Sequence, residues 1–284
     1  MSIALIILAA GKGTRMKSDL PKVLHEIAGA PMLVHAMKSG ATLQPEKTIV
    51  VAGHGAEHVS KATEAYDETA EVVLQTEQLG TAHAVGQAKA TLAGFAGDAL
   101  VLYGDTPFIS PDTLERIIAA REGHDVIVLG FEAADPGRYG RLVMDGDSLS
   151  KIVEFKDATD EERAITLCNS GVICAKSDVL FDLIDAVDND NASGEFYLTD
   201  IVEIAQSKGL SATSVTCDES ETLGVNSRVQ LAEADAIFQA KTRLALMEAG
   251  VTLHAPETVY LSHDTHIGPD TIVEPNVVFG PAVT

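Results

Sequence analysis

The chain has 284 residues, enough for one large domain or two smaller ones at about 100 to 200 residues each. With 46% hydrophobic against 22% charged residues, it excludes fibrous, low-complexity and disordered readings. Its 20 Lys plus Arg against 42 Asp plus Glu leave a net charge of -22, a field that repels nucleic acid and anionic lipid, so a phosphate ligand needs a local site of oriented N–H groups, a few cations or a metal.

Residues 3–8 are an unbroken aliphatic run that stops at glycines, the pattern of a central parallel strand buried on both faces. The run is too short for a membrane span and has no basic residue before it, unlike a signal peptide. Similar runs recur at 48–52, 71–74, 99–103 and 125–131, separated by helix-like stretches at 32–39, 82–92 and 111–122. Alternating strand and helix predict a doubly wound α/β sheet. From Tyr139 the texture changes: turn residues at 144–147 separate two strand-like runs, 141–143 and 149–154, as in a hairpin inserted antiparallel.

Residues 167–175 resume the β pattern, with Asn169, Gly171 and Ile173 on one face and Cys168, Ser170, Val172 and Cys174 on the other. Cys168, Cys174 and Cys217 include no C-x-x-C pair, as expected of a reduced, cytoplasmic chain. A helical pattern over 228–249 stops at Gly250 and predicts a linker between domains. Beyond it Ile267, Val273 and Phe279 recur every six residues, the period of a parallel β-helix. Such a short run is only the start of a solenoid, so a truncated repeat is expected. The predicted division is 1–227, 228–250 and 251–284.

The first strand runs into Leu8-Ala9-Ala10-Gly11-Lys12-Gly13-Thr14-Arg15-Met16, followed by Pro21-Lys22. Gly11 and Gly13 let backbone N–H groups turn toward phosphate oxygens, and Arg15 and Lys22 can neutralise their charge. A dinucleotide fingerprint would need glycine where Met16 stands, and no G-x-x-x-x-G-K-[ST] loop occurs. Gln75 follows a strand and carries both a donor and an acceptor; as an isolated glutamine it reads as solvated surface. Asp105 sits at the carboxyl end of the 99–103 run, where an acid can meet a ligand or simply close a turn before Thr106-Pro107. Lys156 reads as solvated, and the His54/His58 and His263/His266 pairs lack the further ligands of a zinc site.

These blocks, together with Gln78-Leu79-Gly80-Thr81, Tyr103-Gly104-Asp105, Tyr139-Gly140-Arg141, Val153-Glu154, Asn169-Ser170-Gly171 and Gly224-Val225-Asn226, resemble the sugar nucleotidyltransferases (nucleotide sugar pyrophosphorylases) along the whole chain. Within them the pattern is most similar to the N-acetylglucosamine-1-phosphate uridylyltransferases. The resemblance implies a Rossmann-like mixed sheet of the nucleotide-diphospho-sugar transferase type, a linker helix and the start of a left-handed β-helix. It implies Mg²⁺-dependent reaction of UTP with N-acetylglucosamine 1-phosphate to give UDP-N-acetylglucosamine and pyrophosphate, for cell-wall and lipopolysaccharide precursors.

Carried over by position, Leu8, Ala9, Ala10, Gly11, Gln75, Gly80 and Thr81 would hold the uridine, with Tyr103 and Gly104 joining the substrate-binding set. Asp105 and Asn226 would hold Mg²⁺, while Arg15 would face the leaving pyrophosphate and Lys22 would bridge phosphates. Gly140, Glu154 and Asn169 would contact the sugar. The full-length family enzymes are homotrimers with an acetyltransferase β-helix, an activity not expected of residues 1–284. Neither a nucleic-acid nor a membrane partner is implied. Two other functions use the same scaffold: a pyrophosphorylase for another sugar 1-phosphate, and a silent sugar-nucleotide-binding module.

Overall fold

The computed structural model describes residues 2–283. In chain order, β1 (Ile3–Ala9) leads to a small hairpin of β2 (Glu26–Ile27) and β3 (Ala30–Pro31). Then come α1 (Met32–Ala41), β4 (Lys47–Ala52), α2 (Ala56–Tyr66), β5 (Glu71–Leu74), α3 (Thr81–Gly86), β6 (Asp98–Tyr103), α4 (Pro111–Ala120) and β7 (Val126–Glu132). The second part holds β8 (Arg141–Asp145), β9 (Ser148–Val153), α5 (Asp160–Arg163), β10 (Leu167–Lys176), α6 (Ser177–Ile184), α7 (Ile201–Ser207) and β11 (Ala212–Cys217). It ends with α8 (Arg228–Glu248), β12 (Thr252–Leu253) and β13 (Ile272–Val273).

Seven strands run in the order β11-β7-β10-β6-β1-β4-β5, and the β8–β9 hairpin joins through β10 to make nine. β1 pairs in parallel with β4 and β6, and β4 with β5. The chain therefore winds outward from β1 to β5 and then returns to the other side of β1, so the strand order reverses between β1 and β6. In open α/β sheets ligands bind outside the carboxyl ends of strands at such a reversal.

Every residue of β1 is buried, because both faces of the sheet are covered. Ala4, Ile6 and Leu8 join the core with α3, α6 and α7, whereas Ile3, Leu5, Ile7 and Ala9 join the core with α1 and α4. At the amino end of β6 the buried Arg121–Asp98 ion pair, Nε to Oδ1 3.0 Å, ties the end of α4 to the sheet.

The sheet is mixed because β10 runs antiparallel to both β6 and β7. Its register shifts between Asn169 and Ile173, a bulge centred on the Ser170-Gly171 step. After it the predicted alternation appears: Ile173 and Ala175 enter one core, Val172 and Cys174 the other. The helical stretch expected over 82–92 differs: regular helix ends at Gly86 and the chain continues through turns to Gly94, where φ is +77°. Helix α2, the α6 and α7 pair, and edge strand β11 have no counterpart among the predicted elements.

α8 begins at Ser227, whose hydroxyl accepts from Gln230 N at 3.2 Å, and spans most of the predicted linker. Beyond it, β12 and β13 pair in parallel and a parallel bridge joins Tyr260 to Val278. Val251, Leu253, Val259, Leu261 and Val273 form a small core of their own, with Ile267 and Phe279 packed against it. This is one rung of parallel pairing rather than a stacked solenoid. No helix among the described residues is long and apolar enough to cross a membrane.

Candidate functional site

The ends of β1 and β6 open into a cleft of about 350 Å³ lined by Leu8, Ala9, Ala10, Gly11, Lys22, Gln75, Gly80, Thr81, Tyr103 and Asp105. Ten sequence-predicted residues from four separate segments thus share one cavity. Val23, Gln78, Ala84 and Glu195 complete the lining and were not among the predicted residues. Gln78 donates from Nε2 to the carbonyl of Ala10 at 2.7 Å and so fastens the loop after β1. It lies inside the Gln78-Leu79-Gly80-Thr81 block, so its position was visible and its role was not. Glu195 had no local signal, because only the packing of the 194–200 segment against residues 79–82 brings it to the cleft.

The loop after β1 turns on Gly13, at φ +58°, where an added Cβ would stand 2.5 Å from Cβ of Lys22. A side chain there would displace Lys22. The Lys22 ammonium forms an ion pair with Asp105 Oδ2 and also donates to Asn226 Oδ1 at 3.0 Å. Asn226 Nδ2 donates to Gly224 O at 3.3 Å, which turns the amide oxygen toward Lys22. Val225 N donates to the carbonyl of Asp105 at 3.0 Å, holding the two chain segments side by side. Lys22 and Asp105 side chains are only 14% and 17% exposed, so this charge pair is stronger than a surface one.

Two oxygens 121 positions apart in sequence thus converge on one cationic point. That donor chemistry fits a hard divalent ion, since Mg²⁺ takes one or two protein oxygens and completes its shell with phosphates and water. Among the described residues no group of three or more His, Cys, Asp or Glu is placed to hold a metal. Arg15 stands apart from this centre, exposed on the short turn Thr14–Met16. Gly104 does not line the cleft; its N–H donates to the carbonyl of Leu8 at 3.0 Å and ties the ends of β1 and β6 together.

Gln75, almost fully buried, donates from Nε2 to the carbonyl of Gly80 at 3.0 Å. Gly80 holds φ +125° at the start of α3, and a Cβ there would overlap the backbone of Phe196. Its freedom therefore serves the contact with the 195–198 segment, not only an approach to a ligand. Thr81 Oγ1 accepts from Leu198 N at 2.9 Å, so that segment is fixed to the cleft wall.

Gly140, Glu154 and Asn169 gather at the other end. Asn169 N donates to Gly140 O at 2.9 Å, and a Cβ on Gly140 would lie 3.4 Å from Glu154 Oε1 and 3.6 Å from Cβ of Asn169. Thr199 Oγ1 donates to Glu154 Oε1 at 3.3 Å, a partner no sequence pattern indicated. Burial pushes the Glu154 carboxyl above the usual range and Asp157 adds to the effect, while the Thr199 hydrogen bond opposes both. Tyr103, between the two groups, is raised chiefly by burial and further by Asp105 and Glu154. Glu154 also lines a second cavity of about 450 Å³ with Asp157, Asp188, Asp190, Asp200 and Glu203. Burial first, then the carboxylates of Asp188, Glu154, Glu203 and Asp157, push Asp200 up to about 6.

Lys156 is exposed and donates to Ser193 Oγ at 2.9 Å. His263 belongs instead to the contact of the last segment with α1 and the β2–β3 turn: its Nδ1 is 2.5 Å from Lys38 Nζ, and its backbone N–H donates to Ala28 O at 2.8 Å.

Residues 5–178 match the MobA-like NTP transferase domain. The chain is 69% identical over 268 residues to the bifunctional protein GlmU of Ruegeria pomeroyi, covering 94% of this chain and 60% of that protein. It is 64% identical over 280 residues to the bifunctional protein GlmU of Roseobacter denitrificans, covering 99% and 62%. The chain thus spans about three fifths of the length of these curated relatives. Its fold is similar to that of a UDP-glucose pyrophosphorylase complexed with UDP-glucose, with a TM-score of 0.68 and 19% identity over 85% of this chain and 100% of that one.

Proposed function

The chain belongs to the family of MobA-like NTP transferase domains, and on that premise we propose that it transfers the uridylyl group of UTP to N-acetylglucosamine 1-phosphate, releasing pyrophosphate. Support for this substrate pair comes from the bifunctional GlmU proteins to which the chain is similar. The observation that carries the reading is the convergence of Lys22, Asp105 and Asn226 at the strand-order reversal, beside the loop of residues 8–11. A site that only bound a neutral sugar would have no use for that charge centre.

In the reaction, an oxygen of the sugar phosphate attacks the α-phosphorus of UTP in line as the bond to pyrophosphate breaks. The attacking phosphate is already ionised, so no general base is needed. Catalysis then rests on positioning and charge neutralisation. Lys22, held by Asp105 and Asn226, neutralises phosphate charge; Arg15 lies on a free turn, able to meet the departing pyrophosphate. Asp105 and Asn226 would hold Mg²⁺, which when bound supplies further charge neutralisation at the phosphates. Gln75 and the backbone around Gly80 receive the base, and Leu8 to Gly11 with Thr81 line the ribose side. Glu154 accepts from sugar hydroxyls, Asn169 offers both donor and acceptor, and Gly140 leaves room for the acetamido group.

We further propose that residues 1–227 form the transferase unit, 228–250 a linker, and 251–284 the first coil of a left-handed β-helix. The 18-residue offset of the Tyr260–Val278 bridge, three hexapeptides, supports that coil. Pyrophosphate release from UTP and Mg²⁺ tests the activity, with N-acetylglucosamine 1-phosphate, glucose 1-phosphate and glucosamine 1-phosphate compared. Selective release with the acetylated sugar is expected; release favouring glucose 1-phosphate would move the substrate, and none with any sugar would sink the reading.

A further inference from the structure

We propose that His83 is a positioning residue for base selection: its Nδ1 fixes the side-chain amide of Gln75 so that the cleft presents an acceptor, which suits uracil and rejects cytosine. This deepens the uridylyl-transfer reading and rests on it.

Gln75 Nε2 lies 3.0 Å from the carbonyl oxygen of Gly80 and 3.1 Å from His83 Nδ1. A carbonyl can only accept, so the amide nitrogen belongs on that side and both its hydrogens are engaged, one by Gly80 O and one by Nδ1. His83 Nδ1 is therefore the bare ring nitrogen, and the ring proton sits on Nε2. That nitrogen lies 3.2 Å from Nε2 of Gln87, a half-exposed side chain that donates to the His83 carbonyl at 2.9 Å and can swing toward solvent, leaving the ring proton to water. The consequence falls on the other end of Gln75: Oε1 has no protein partner among the described residues, in a side chain that lines the cleft.

Uracil carries N3–H, a donor, whereas cytosine carries a bare N3, an acceptor. An amide locked with its oxygen outward pairs with the first and repels the second. Leaving a buried acceptor unpaired costs more than the hydrogen bond itself contributes, which makes one fixed amide an effective discriminator. Without His83 only Gly80 O opposes rotation of the amide, and the amino end can then turn to the cytosine N3. α3 provides the geometry: it starts at Thr81, so the Gly80 carbonyl just before it and the His83 ring in its first turn both reach the Gln75 amide nitrogen.

The test is a pair of measurements on the whole chain: direct binding of UTP and CTP, and kcat/KM for each in pyrophosphate release. Wild type, His83→Leu and His83→Asn are compared, the last because its Oδ1 restores an acceptor at that position. The UTP-over-CTP ratio should fall about 3- to 10-fold in His83→Leu, mainly through KM, and recover in His83→Asn. A general folding defect lowers both nucleotides together and leaves the ratio unchanged. An unchanged ratio in His83→Leu, an equal loss in both variants, or equal binding of UTP and CTP by the wild type would overturn the inference. Discrimination in binding that is lost in His83→Leu, without turnover of any sugar phosphate, would uphold it while removing the proposed reaction.

Discussion

The two ends of the site are built in opposite ways. The end at β1 and β6 comes from strand-end loops that are contiguous in sequence, 8–11, 75–81 and 103–105, and carries the Lys22 ammonium. The end at β8, β9 and β10 is assembled from Gly140, Glu154, Asn169 and Thr199, and its outer wall holds Asp157, Asp188, Asp190, Asp200 and Glu203. In a chain of net charge -22, only the first end can hold phosphate. The acidic end repels it and suits hydroxyl and amide groups, so the field along the site orients a substrate that is anionic at one end and neutral at the other.

The first way to break this comparison is at the cationic centre. Asp105→Asn should lower kcat/KM for pyrophosphate release by about 100-fold or more and raise the Mg²⁺ concentration needed for half-maximal rate. Near wild-type turnover at limiting Mg²⁺ would remove Asp105 from the metal site. Lys22→Ala should cost about 10- to 100-fold, chiefly in kcat, because charge-assisted contacts to phosphate strengthen as charge moves to the leaving group. An unchanged kcat would leave Lys22 a structural partner of Asp105 alone.

The acidic end predicts pH effects. The raised Glu154 carboxyl takes up its proton at a higher pH than an ordinary glutamate, so its ability to accept from sugar hydroxyls is lost earlier on acidification. KM for the sugar phosphate should therefore climb on the acid side in wild type, while Glu154→Gln should show a raised, pH-flat KM, by about 10-fold at neutral pH. An acid limb that survives in Glu154→Gln would assign it elsewhere.

The smallest effect concerns stability. Asp200 has a folded value of about 6 against an ordinary 3.8, so the folded state binds the proton more tightly and stability falls as pH rises through that window. Asp200→Asn should raise Tm at pH 8, with a gain that shrinks as pH falls from 6 towards 4. No capping hydrogen bond is lost, since the Asp200 side chain makes none at the start of α7. A gain that is the same at pH 4 and pH 8 would rule out the charge explanation.

Much of the site was legible because its residues sit at the carboxyl ends of strands with strong signals. A buried parallel strand writes itself as an aliphatic run, and the residue after the run is in the crevice by geometry. That logic locates Leu8 to Gly11, Gln75 and Asp105. It fails for Thr199 and Glu195, which belong to a stretch between α6 and α7 without periodicity. It also fails for β11: Thr213 and Ser214 stand side by side and break the alternation of this edge strand, leaving a pattern too weak to separate from loop.

By itself the sequence determined the alternating α/β class, the strand ends and the loop of residues 8–16, because burial on both faces and glycine chemistry are local demands. Only the tertiary structure decided that β10 runs antiparallel between β6 and β7, that Asn226 meets Lys22 across 204 positions, and that Gln75 donates to the Gly80 carbonyl. Those depend on which distant groups become hydrogen-bond partners once the chain is packed, and residue type alone does not select a partner.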